Sequence, residues 1–206
     1  MKHGLLATLL LCSALALAAS DDTWVTDAYH RSLAYERVQK YDDAMKALAA
    51  VLERYPEAYT VNLRMGWLHY LAGHHANARK HYRQAIKAVP ASLEARLGLL
   101  LPLLAQHDYG RAEQVATQVL RTDLYNYYGN LRLLLALKGQ KKYEAARTVA
   151  ERMLAVYPAD VRFLAELAAV HALQGQTDEA TRLYHAVFIL DPENPAARRY
   201  LKLDDK

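Results

Sequence analysis

The small and apolar positions of this chain recur every 34 residues. Ala44, Ala78, Ala112, Ala146 and Ala180 form one column. Pro56, Pro90, Pro158 and Pro192 form a second, with Leu124 in the vacant slot. Leu48, Tyr82, Ala116, Ala150 and Tyr184 make a third, and Val51, Ala85, Val119, Met153 and Val187 a fourth. Tyr41, His75, Tyr109, Tyr143 and Thr177 precede each alanine by three. Several registers in phase over several copies are the signature of a repeat architecture. Each copy predicts two helices. In the second, Tyr59 to Ala72 is the first helix and Asn77 to Ala88 the second; Gly73-His74-His75 breaks them and Pro90 ends the pair. A small residue such as Ala78 lets paired helices approach, and a larger one such as Tyr82 fills the space beside it. One pair cannot bury both its faces, so stacked neighbours supply the core.

The first residues follow another pattern. Met1-Lys2-His3-Gly4 is a short positive start, and Leu5 to Leu17 is apolar and too short to span a bilayer comfortably. Ala16-Leu17-Ala18 offers small residues to a signal peptidase before the polar Ser20-Asp21-Asp22. Residues 1–19 are therefore expected to be a secretory signal peptide, cut after Ala18 or Ala19. Leu11 before Cys12 argues against lipidation of that cysteine. The expected location is periplasmic or otherwise extracytoplasmic, with the protein soluble after cleavage.

Composition agrees with an all-α chain. Only 8 glycines and 6 prolines occur in 206 residues, and Leu and Ala far outnumber Val, Ile and Thr. Cys12 is the single cysteine, so a mature chain would have neither disulfide framework nor thiol nucleophile. No later stretch is long and apolar enough to cross a membrane.

With Gly66, Ala78, Tyr82, Ala85 and Pro90 in the best copy, the sequence resembles the tetratricopeptide repeat family. The resemblance implies an α-α superhelical solenoid of five helix-turn-helix units: 25–58, 59–92, 93–126, 127–160 and 161–194. A short segment, 20–24, would precede them, and a polar capping helix and tail, 195–206, would follow. The third unit departs from the pattern. Its first helix, Leu93 to Ala105, is apolar nearly all round and contains Pro102, which is expected to kink it. Leu100 and Leu134 stand where the family prefers a small residue, so an irregular stack is expected between the third and fourth units.

The resemblance also implies a partner-binding groove on the first helix of each pair. It would present Tyr29 and Leu33, then Leu63, Trp67 and Tyr70, then Leu97, Leu101 and Leu104, then Tyr128, Leu131 and Leu135. That surface is apolar and aromatic. It suits an amphipathic helix or an extended apolar peptide, unless winding of the stack buries it. One family subgroup grips acidic peptide C-termini with basic and amide side chains. Tyr29, Leu33, Arg64, Glu94 and Gly98 occupy the matching positions; only Arg64 suits the task, and Glu94 opposes it.

Charge is uneven. The second repeat carries Arg64, Arg79, Lys80, Arg83 and Lys87 and no acid, while the fifth is net acidic. Arg79, Lys80, Arg83 and Lys87 form a basic patch on the second helix of the pair. It is a solvated face, or a contact for an acidic partner or a peripheral contact with anionic headgroups. Nucleic acid fits an exported chain poorly. His69, His74, His75 and His81 crowd the same repeat without nearby acids, which suits structural or surface roles better than metal ligation. No nucleophile elbow, triad spacing or phosphate loop occurs.

The leading expectation is an exported, non-catalytic scaffold, with no cofactor. It would hold another envelope protein or peptide and assist assembly of an envelope complex. A homo-oligomer using the same apolar face is the alternative, and a histidine-based metal protein is a third.

Overall fold

A computed structural model of the chain describes residues 23–203. The expected leader (1–19), residues 20–22 and the final three residues of the tail lie outside the described residues. The described residues form α-helices joined by short turns, with no strand. They divide into two compact units that meet in sequence after Pro90.

The first unit holds α1 (Thr23–Arg37), α2 (Tyr41–Ala47), α3 (Ala49–Arg54), α4 (Tyr59–Leu71) and α5 (His75–Ala88). α1 takes in Thr23 and Trp24, expected to precede the repeats, because the Trp24 side chain packs on the core of this unit. α2 and α3 follow each other through Leu48, whose N–H bonds to the Met45 carbonyl three residues back. α5 begins at His75, two residues before the expected start.

The second unit holds α6 (Leu93–Ala105), α7 (Tyr109–Thr122), α8 (Tyr127–Gly139), α9 (Tyr143–Val156), α10 (Val161–Leu173), α11 (Thr177–Leu190) and a short α12 (Pro195–Tyr200). α6 continues through Pro102 to Ala105, and Pro102 is buried. The pairs α6/α7 and α8/α9 have the same lengths as their neighbours, 13 and 14 residues. The irregularity expected there is absent from the helix bounds.

Packing explains why. Ala44, Ala78, Ala112, Ala146 and Ala180 are all fully buried. Two further columns are complementary in size. Ser32, Gly66, Leu100, Leu134 and Ala168 lie on first helices; sixteen residues on stand Leu48, Tyr82, Ala116, Ala150 and Tyr184. All ten are buried, and every repeat pairs one large residue with one small one. Leu100 and Leu134 are thus matched by alanines, and interior volume is conserved.

The turns repeat as faithfully. Gln39, Gly73, His107, Lys141 and Gly175 all adopt positive φ, between 56° and 77°. The next residue in each case donates its N–H to the carbonyl five back, from Lys40 to Tyr35, His74 to His69, Asp108 to Leu103, Lys142 to Leu137 and Gln176 to His171, at 2.8–2.9 Å. This is the left-handed helix ending that satisfies carbonyls orphaned at a helix C-terminus. At the other end of the pairs, Ser92, Asn126, Asp160 and Asn194 cap the following helix by accepting backbone N–H bonds. Ala58 has the same register but no side-chain acceptor. Buried Asn62 and Asn130 secure two of these joints: each amide donates to two loop carbonyls, Pro56 and Ala58 in one case, Leu124 and Asn126 in the other.

Candidate protein-binding face

In the first unit, the expected groove residues lie on α1 and α4. Leu63, Trp67 and Tyr70 are half-buried, and the Trp67 and Tyr70 rings are 5.9 Å apart. Tyr29 is half-buried against the core of the unit, and Leu33 is exposed. Glu36 on α1 faces α4. It forms an ion pair with Arg64 and accepts the Trp67 indole N–H at 2.7 Å. Arg64 also donates to the fully buried Ser32 hydroxyl at 3.3 Å. Arg64, the cation that suited a carboxylate ligand among the expected positions, is therefore engaged by the chain's own carboxylate.

In the second unit the first helices are α6, α8 and α10, with α8 touching both others. Leu97, Leu101, Leu104 and Leu135 are half-buried; Leu131 packs on the core of this unit, and Tyr128 is 49% exposed. Charge is again consumed internally. Lys138 pairs with Glu166, and Arg132 donates to the Leu97 carbonyl at 2.7 Å while lying over the Tyr128 ring. Leu104, Leu135 and Leu173 line a cleft of about 450 Å³, with Tyr109, Tyr143, Gly139, Lys138 and Lys141. Gly139 is required in that wall, since a Cβ there would stand 2.5 Å from the Tyr109 ring.

The basic residues lie on α5. Lys80, Arg83 and Lys87 are exposed, and Arg79 is half-buried. Lys87 reaches Glu57 at 3.2 Å. The histidines of this repeat lie on and between α4 and α5. His69 and His81 stack with centroids 5.2 Å apart, and His74 is 5.7 Å from His69. The His81 Nδ1 is 2.9 Å from Asn62 Oδ1. Burial, then the neighbouring His69 and Lys80, lower the His81 pKa to about 4; burial and His74 lower that of His69. Both rings are therefore neutral at pH 7. No group of three or more metal-ligating side chains is arranged to hold an ion among the described residues.

The groove positions expected from the sequence are the aromatic and leucine ones, and Glu36 and Ser32 are not among them. Ser32 belongs to the size-matched column, and that register was a usable signal. Nothing in the spacing singled out Glu36, because its partners lie a whole repeat away.

A tetratricopeptide repeat profile matches residues 29–92 and again 63–128, and a second such profile matches 137–202. The uncharacterized protein y4yS of Sinorhizobium fredii (strain NBRC 101917 / NGR234) is 33% identical over 95 residues, 44% of this chain and 52% of that relative. The chain thus matches about half the length of that protein. Among solved structures, MamA 41-end from Desulfovibrio magneticus RS-1 is similar at a TM-score of 0.76 and 16% identity, covering 84% of this chain and 98% of its own. YrrB, described as a TPR protein with an unusual peptide-binding site, is similar at 0.72 and 12% identity, covering 92% and 97%. TTC0263, a thermophilic TPR protein of Thermus thermophilus, is similar at 0.67 and 16%, covering 88% and 99%. At these identities the likeness is one of fold.

Proposed function

The chain belongs to the tetratricopeptide repeat family, a family of protein-interaction scaffolds, and on that footing we propose that it is an exported, non-catalytic scaffold for an envelope protein or peptide. Binding takes place on the first-helix faces of its repeats. One observation carries the reading. Two cations beside these leucines and aromatics are neutralised within the chain, Arg64 by Glu36 and Lys138 by Glu166, which leaves Leu63, Trp67, Tyr70, Leu101 and Leu135 as the partly open side chains around them. Such a surface favours the apolar side of an amphipathic helix or extended segment. Export is supported by the Leu5–Leu17 run and the small residues after it.

Site-specific photocrosslinking in the producing cell tests this. A photoreactive side chain at Leu101 or Leu135 should give a discrete adduct with another protein in the exported fraction. The same probe at Arg121 or Glu151, exposed on second helices, should not. Adducts of twice the chain's own mass would favour the homo-oligomer, and equal capture from all four positions would overturn the assignment of the face.

A further inference from the structure

α5 stands apart from the other second helices. α7, α9 and α11 each carry at least one carboxylate, whereas α5 carries none, and no acidic residue occurs between Glu57 and Glu94. Its exposed side reads Lys80, Arg83 and Lys87, which spans about 10 Å of helix at 1.5 Å per residue. Lys80 and Arg83 form no ion pair among the described residues, and the Lys87–Glu57 contact is open to solvent at both ends. That contact brings the loop after α3 beside the end of α5. Tyr55 stands exposed in this loop, with the Arg54 guanidinium 5.8 Å from its ring centroid. Val89 is exposed just beyond Lys87. Glu53 and Glu57 are the acids of this neighbourhood, both exposed.

We propose that this side of the first unit, Lys80, Arg83 and Lys87 with Tyr55 and Val89 at one end, docks on an anionic phospholipid bilayer. Cations along one open helix side present charge to a flat surface and not to an enclosed ligand. Each Lys or Arg held near an anionic surface strengthens binding roughly fivefold at ordinary salt. A tyrosine and a valine at the rim match the boundary between headgroups and acyl chains, where amphipathic rings and short apolar side chains are stabilised. An acidic protein partner is the competing occupant, and it would be recognised by a preference over anionic vesicles.

Vesicle flotation with the full chain decides the matter. The probes are phosphatidylcholine vesicles, and the same vesicles containing about one-third phosphatidylglycerol. Binding should occur on the anionic vesicles, be weak on the neutral ones, and fall steeply as salt rises from roughly 0.1 M to 0.5 M. Lys80→Gln with Arg83→Gln should weaken it about thirtyfold. A control of equal charge loss, Arg121→Gln with Arg199→Gln in the second unit, both exposed, should bind as the parent does. Tyr55→Ser should weaken binding without changing its salt dependence. All variants share one N-terminus, so any contribution of residues 1–22 cancels. The substituted side chains are exposed, and circular dichroism checks that each variant is folded. Equal binding to both vesicle types would overturn the proposal. So would equal loss in the α5 variant and its control, or preference for an acidic protein over anionic vesicles.

Discussion

The Tyr82 ring lies flat against Gly66. A Cβ built on that glycine would stand 2.9 Å from the ring's Cγ and Cδ1, inside any real contact distance. Tyr82 is 2% exposed, so the ring has nowhere to withdraw. Gly66→Ala should therefore destabilise the protein by about 1–3 kcal/mol through overpacking. Gly110, in the first turn of α7, is the contrast: a Cβ there would meet nothing within 4 Å. Gly110→Ala should stabilise by about 0.5–1 kcal/mol. Urea melts of the two variants should move in opposite directions.

The size-matched columns predict compensation. Leu134 and Ala150 are both fully buried in one core cluster. Leu134→Ala alone should cost about 2–5 kcal/mol and Ala150→Leu alone about 1–3 kcal/mol. The double substitution exchanges large for small and should cost clearly less than their sum. A double-mutant cycle measures the coupling; strict additivity would show that the two residues do not share a space.

Ala58 is the weak cap. It precedes α4 in the register that Ser92, Asn126, Asp160 and Asn194 fill with hydrogen-bonding side chains. Ala58→Asp should stabilise by about 1 kcal/mol, by accepting N–H bonds of the first turn and by placing negative charge at the helix N-terminus. Thermal melts at neutral pH provide the measurement.

His81 makes the first unit acid-sensitive. Its folded pKa of about 4 lies below the ordinary value of 6.5, so the unfolded chain binds the proton more readily. The stabilisation is fully present above pH 6.5 and is lost as pH falls toward 4. With allowance for partial solvent exposure of the ring, the loss should be on the order of 1 kcal/mol. His81→Gln should flatten the slope of stability between those limits, while His185→Gln, on exposed α11 surface, should leave it unchanged.

Glu36 holds two partners at once. Glu36→Ala would leave the Arg64 guanidinium and the Trp67 indole without their acceptor, at a cost of about 2–3 kcal/mol. Glu36→Gln keeps an acceptor for Trp67 and should cost less. Chemical denaturation ranks the two, and equal losses would place the whole effect in the ion pair.

The repeat period was legible because packing demands it: Ala44 and its four equivalents are fully buried, and no larger residue recurs there. The helix pairs followed directly. Leu100 and Leu134 looked irregular because each column was read alone, whereas volume is shared between two columns. The left-handed turns were half visible, since only Gly73 and Gly175 announce themselves and Gln39, His107 and Lys141 do not. The apolar and aromatic character of the expected groove positions is legible in the sequence. Their electrostatic setting is not, because the Arg64–Glu36 and Lys138–Glu166 pairs join residues about thirty positions apart.

The spacing of the connections constrains how this chain can change length. The break inside every pair is three residues, from 38–40 to 174–176, and the link after every pair is four, from 55–58 to 191–194. A single inserted residue at a break would displace the left-handed position from the helix end it closes. One inserted within a helix would rotate every later column by about 100°. Gain or loss of a whole 34-residue block disturbs neither. Length variants of this sequence that still fold should therefore differ by whole repeats, with smaller insertions and deletions confined to the termini.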